Sequence, residues 1–130
     1  MARIYTFIFV VFLATGCGSG NVGLRGTVTF SDDGSPLTVG TVGFLKDGKI
    51  ARGTIKKDGT YIVGFEKETD GLPPGQYNVV ITGAEIPIGE NLREQLIDKK
   101  YSNPDTSELT LEVNASTRVF DVQVDRFQKR

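Results

Sequence analysis

The sequence predicts an all-β fold, a small antiparallel sandwich of seven strands, and three observations carry that reading. From Cys17 onward there are 11 Val, 7 Ile and 11 Thr against only 3 Ala. β-Branched side chains sit well on a pleated, half-buried surface and lose rotamer freedom in a helix. Apolar residues recur at every second position in seven short runs, the period of a strand with one buried face. Turn residues separate those runs, among them Asp47-Gly48 and Asp58-Gly59.

In the first run Val22, Leu24, Gly26, Val28 and Phe30 alternate, and Ser31 to Pro36 ends it. Thr41 to Lys46 sets Val42 and Phe44 on one face, and Asp47-Gly48 marks a tight hairpin into Lys49 to Lys56, with Ala51 and Ile55 inward. Asp58-Gly59 signals a second hairpin, leading to the row Tyr61, Val63 and Phe65. Gly71-Leu72-Pro73-Pro74-Gly75 is a turn whose two prolines end any ladder. Tyr77, Val79 and Ile81 form the fifth row, Leu109, Leu111 and Val113 the sixth, and Phe120, Val122 and Val124 the seventh. Two facing sheets satisfy this pattern, because one open sheet would leave its apolar face wet. Between the fifth and sixth runs, Gly89 to Lys100 carries Leu92, Leu96 and Ile97 at helical spacing, with charged residues between them. That spacing predicts one short amphipathic helix capping an end of the sandwich.

Length and composition bound the function. The 130 residues allow one domain, and the formal net charge is −1. Such a balance argues against nucleic acid as a partner, which calls for clustered Lys and Arg. There is no His and a single Cys, which removes His-ligated metals, zinc fingers, Ser-His-Asp triads and Cys-His dyads together. No cofactor and no resident metal are expected.

The N-terminus reads as an address. Arg3 precedes an apolar run of 11 residues, Ile4 to Ala14, and small residues close the segment. A secretory signal peptide over residues 1–16 has this grammar. A spanning helix needs about 20 apolar residues, so the run is too short to remain as a transmembrane anchor. The following Leu13-Ala14-Thr15-Gly16-Cys17 resembles a bacterial lipobox, in which the chain is cut before the Cys and acyl chains such as palmitate are attached to it. The match departs in one place, with Ala14 three residues before the Cys where Leu is usual. Cys17 is then a lipid carrier, and residues 17–21 are the lipidated Cys and a short tether. The four residues Gly18 to Asn21 reach about 11 Å as a coil, which keeps the domain close to the bilayer. Gly18 stands where Asp would signal inner-membrane retention in some bacteria. The expected location is a cell membrane or outer membrane, lipid-anchored and facing the periplasm or the exterior.

Three further patterns suggest a family. They are Gly26-Thr27-Val28-Thr29-Phe30 with Gly34-Ser35-Pro36-Leu37 and Val42-Gly43-Phe44; Lys57-Asp58-Gly59-Thr60-Tyr61 running to Gly71-Leu72-Pro73-Pro74-Gly75-Gln76-Tyr77; and Lys100-Tyr101-Ser102-Asn103-Pro104 before Leu109 to Val113. In this order and spacing the chain resembles the carboxypeptidase-regulatory-like (transthyretin-like, or prealbumin-like) domain of small bacterial envelope lipoproteins, over residues 22–125, with 126–130 as a tail. The resemblance implies a seven-stranded Greek-key sandwich, and it implies no catalytic residues.

Candidates for chemistry are few. Asp32, Asp33, Asp47, Asp58, Asp70 and Asp105 fall in turns, where Ca²⁺ could collect oxygen ligands, but no Asp-x-Asp-x-Asp-Gly loop is present and Asp before Gly already has a turn role. Tyr61, Tyr77 and Tyr101 could stack on sugars, yet Tyr61 and Tyr77 occupy inward strand positions. Tyr101, in an irregular segment, is the residue expected to be exposed and to touch a ligand. The expected function is a non-enzymatic, membrane-anchored envelope module that contacts other envelope proteins, with carbohydrate binding at the surface as the alternative and a small-molecule carrier a distant third.

Overall fold

The structure, a computed structural model, describes residues 21–64 and 71–128. The strands are β1 (Arg25–Phe30), β2 (Thr41–Lys46), β3 (Lys49–Thr54), β4 (Thr60–Ile62), β5 (Gly75–Thr82), β6 (Glu85–Gly89), β7 (Leu92–Gln95), β8 (Leu109–Val113) and β9 (Val122–Val124). One short 3-10 turn, Lys99–Ser102, lies between β7 and β8. The fold is mostly β with almost no helix, in several sheets. One sheet has the order β3-β2-β5-β8, a second β4-β1-β9, and β6 and β7 form a separate two-stranded ribbon.

The hairpin at Asp47-Gly48 forms as its sequence requires. Both residues have positive φ, 52° and 80°, the conformation of a type I′ turn. The pair fixes an unbroken register from Lys46↔Lys49 to Thr41↔Thr54. β2 then pairs with β5, placing Phe44 opposite Val79. Inward residues of both larger sheets meet in one core that includes Val28, Phe30, Val42, Phe44, Tyr61, Tyr77, Val79, Val122 and Val124. Phe44 is fully buried at its centre, with ring centroids 6.0 to 6.4 Å from Phe120, Tyr61 and Tyr77. Two sheets sharing one core give a sandwich-like domain.

Three expectations are corrected. Asp58-Gly59 does not close a hairpin within one sheet. The chain turns tightly there, through Lys56 N to Thr60 O at 2.8 Å, but β4 pairs with β1, so this is where the chain changes sheet. Among the described residues, the antiparallel bridge Arg52↔Gly64 ties β3 to the segment after β4. The sandwich is also not wholly antiparallel, since β1 and β9 run parallel with Val28 opposite Val122 and Phe30 opposite Val124. Parallel neighbours need a long crossover, and the chain between these strands supplies it.

The third correction is the helix over Gly89 to Lys100. Residues Leu92–Gln95 are the second strand of the β6–β7 ribbon. Asn91 has φ 60°, a left-handed conformation that turns the chain and stops a helix. Leu92 is 61% exposed, whereas Ile97 is buried through a bridge to Arg126. The helical spacing of Leu92, Leu96 and Ile97 therefore has no common face behind it.

Candidate functional site

The three tyrosines settle into the fold. The Tyr61 hydroxyl donates to the Phe120 carbonyl, and the Tyr77 hydroxyl donates to the Pro73 carbonyl at 2.6 Å. Burial pushes the pKa of both above the ordinary 10. Tyr101 is only 4% exposed, which corrects its expected place at the surface. Asp98 caps the short turn that carries it, accepting from Lys100 N at 2.9 Å. That turn directs the Tyr101 ring into the core, and its hydroxyl accepts from Asp125 N at 3.0 Å. Burial raises its pKa too. Tyr101 therefore holds the C-terminal segment instead of presenting a ring to a ligand.

A second linkage lies one residue on. Arg126 donates through Nε to Asp32 at 2.8 Å and through Nη2 to Asp33 at 3.2 Å and to Ser35 at 3.2 Å. Its guanidinium carbon sits 3.8 Å from the centroid of the Phe30 ring. The turn after β1 is thus clasped to the chain after β9. The Ser35 backbone N–H and hydroxyl donate to Asp33 and hold its pKa at about 2, below the ordinary 3.8. The other turn carboxylates have similar local work. Asp58 accepts from the Thr60 backbone and hydroxyl, and Asp47 pairs with Lys46 at 3.1 Å. Asp105 lies in the turn that Asn103 organises by accepting from its N–H. Among the described residues no three Asp, Glu or Cys side chains converge where a metal ion could sit. Asp70, the lipobox residues Leu13, Ala14, Thr15 and Gly16, and Cys17 lie outside the described residues.

Two surface features escaped the sequence. The first is an open groove of about 500 Å³ on the outer side of β1 and β4, lined by Arg25, Thr27, Thr60, Ile62, Val119 and Asp121. Asp121 accepts from Thr27 N at 3.0 Å, standing in for a ladder partner between the Arg25↔Val119 bridge and the Val28↔Val122 pair. The groove pairs a cation and an anion with the apolar Ile62 and exposed Val119.

The second feature is the β6–β7 ribbon. Ile86, Ile88 and Leu92 are 36, 56 and 61% exposed. Register places Ile86 opposite Glu94, and a bulge at Ile88 sets Gly89 opposite Leu92. On the ribbon Glu85 and Arg93 form an ion pair at 2.6 Å. The available signal was the alternation of Ile86 and Ile88 followed by the turn residues Gly89-Glu90-Asn91. The ribbon's place follows from β5. Val22 pairs with Leu72 just before β5 starts, and the ribbon leaves just after β5 ends. Eight extended residues span about 27 Å, so the two lie at opposite ends of that strand.

Neither a family model nor a curated protein matches the chain. Two solved structures do. One is a DUF3823 family protein from Bacteroides ovatus, 21% identical, with a TM-score of 0.49 over 80% of this chain and 44% of its own. The other is BcpA, the major pilin subunit of Bacillus cereus, 10% identical, with a TM-score of 0.54 over 83% of this chain and 30% of its own. The likeness to the pilin subunit is one of fold. Both neighbours are β-rich, and this chain spans less than half the length of either. Among the described residues no helix is long and apolar enough to cross a membrane.

Proposed function

We propose that the chain is a lipid-anchored envelope protein that acts without turnover, as a module contacting neighbouring envelope proteins. The observation that carries this reading is the exposure of Ile86, Ile88 and Leu92 on the β6–β7 ribbon, at the end of β5 away from Val22. A two-stranded ribbon is marginal alone, and apolar side chains gathered at its tip favour a site of contact over solvent. With a signal peptide over 1–16 and acylation at Cys17, the short tether holds the Val22 end near the bilayer. The ribbon then projects toward proteins beside or above it. The domain itself is read as a seven-stranded Greek-key sandwich of the carboxypeptidase-regulatory-like type, with an accessory ribbon.

Two observations support the absence of turnover in this reading. The chain has no His, and its one thiol sits where the acyl chain would be attached. Carbohydrate binding is disfavoured because the three tyrosines that could stack on sugars are all buried. The test is photo-crosslinking in intact cells, with the crosslinking residue at position 88 and, as a control, at the exposed position 123 on β9. The reading expects a discrete protein adduct from position 88 that is absent from position 123. Adducts equal at both positions, or saturable binding of the protein to a glycan array, would overturn it.

A further inference from the structure

The strand β8 has β5 on one side and no strand on the other among the described residues. Apart from a long contact of 3.5 Å from the Thr117 hydroxyl to the Glu112 carbonyl, nothing described covers its outer edge. Such an edge is a template for another strand, and proteins usually blunt it with Lys, Pro or a bulge. Leu109–Val113 carries none of these. Other edges differ. The β3 edge is bridged by Gly64, with hydrogen bonds of 2.9 and 3.0 Å, and β6 carries Pro87, which lacks a donor.

What could occupy the β8 edge is constrained by its own sequence. Two identical antiparallel strands pair about a two-fold axis normal to the sheet, and residues directly opposite then share a face. The axis must therefore pass a residue opposite its own copy. Centred on Leu111, the pairing sets Leu111 against the partner's Leu111, Leu109 against the partner's Val113, and Thr110 against the partner's Glu112. The apolar residues of this set are half-buried or buried and continue the core face, while Thr110 and Glu112 are exposed. No like charges stand opposite. Centring on Thr110 would oppose Glu108 to the partner's Glu112, and centring on Glu112 would oppose that residue to itself. Centring on Leu109 or Val113 would pair only that one residue of the strand, and like charges directly opposite destabilise a ladder, so one register is selected. The β7 edge offers no equivalent. Its central positions would oppose Arg93 to itself or Glu94 to itself.

We propose that two copies of this chain pair through β8, Leu111 against Leu111, joining their four-stranded sheets into one sheet of eight strands. The pairing is independent of the ribbon contact proposed above. Five residues of edge bury less than the roughly 1,200 Å² typical of stable interfaces, so the association is weak and depends on concentration.

The test is sedimentation velocity of the full chain in non-ionic detergent, over a concentration series. The wild-type protein mass should rise toward twice that of the monomer. Thr110→Glu places a second carboxylate opposite the partner's Glu112 and should leave a monomer throughout. Thr110→Glu combined with Glu112→Lys opposes unlike charges in the same register and should restore the dimer. Both positions are exposed, so far-UV circular dichroism should be unchanged in each variant. A wild-type protein that stays monomeric, a Thr110→Glu variant that still dimerises, or a double variant that stays monomeric would each overturn the proposal.

Discussion

The Tyr61 hydroxyl reaches across Gly26 to the carbonyl of Phe120, tying β4 to the chain that enters β9. A Cβ built on Gly26 would overlap the Phe120 oxygen and lie 2.8 Å from the Tyr61 hydroxyl, so the glycine is required by the bond it underlies. Gly53 plays the same part on the other side, where a Cβ would meet the Ile62 carbonyl at 2.6 Å and the Tyr61 ring at 3.1 Å. The tyrosine thus occupies space that two glycines on different sheets leave open.

Tyr61→Phe removes the donor and keeps the ring. It should lower unfolding stability by about 1 kcal/mol, the usual result of losing a hydrogen bond to a part-buried acceptor. Gly26→Ala should cost more, because backbone must move to admit the methyl group. Urea titration of both variants checks the order, and a Gly26→Ala variant as stable as wild type would contradict the geometry.

Tyr101→Ala opens a cavity beneath the C-terminal segment and should cost about 3 to 5 kcal/mol, as aromatic-to-Ala changes in cores do. Tyr101→Phe keeps the packing but leaves Asp125 N without its acceptor, a smaller loss of about 1 kcal/mol. Thermal unfolding followed by near-UV circular dichroism measures both. Equal losses in the two variants would show that packing of the ring contributes nothing.

The hydrogen bonds that Ser35 gives Asp33 within its turn create an acid dependence. The Asp33 pKa is lowered to about 2 in the folded chain from an ordinary 3.8, so the unfolded chain binds its proton first as pH falls. Its contribution is therefore complete above about pH 4 and is lost as pH falls from there toward 2. Asp58 and Asp125 are lowered as well and act in the same direction. Asp33→Asn should flatten the acid limb of stability against pH while leaving its slope above about pH 5 unchanged. An acid limb identical to that of wild type would contradict this.

How much of this was legible in the sequence depends on range. The alternation of Val28 with Phe30, of Val42 with Phe44 and of Val122 with Val124 is local, and each residue is buried as its period requires. Asp47-Gly48 likewise encodes its own turn. Sheet membership is not local. Nothing in Lys56 to Tyr61 says that the strand after Asp58-Gly59 pairs with β1 instead of β3, because that choice is made by partners far along the chain. The helical spacing over Leu92, Leu96 and Ile97 misled because period alone does not separate one buried face from a solvent-facing residue on a ribbon followed by two that join the core. Tyr101 misled for the opposite reason. An irregular segment looks exposed until its partner, the backbone of Asp125, is folded against it.

Anchoring through Cys17 can be read by fatty-acid labelling followed by fractionation of the cell envelope. The wild-type chain should incorporate label and remain with membranes, and Cys17→Ser should do neither. Labelled, membrane-held protein from the Cys17→Ser variant would rule out acylation at Cys17 as the anchor.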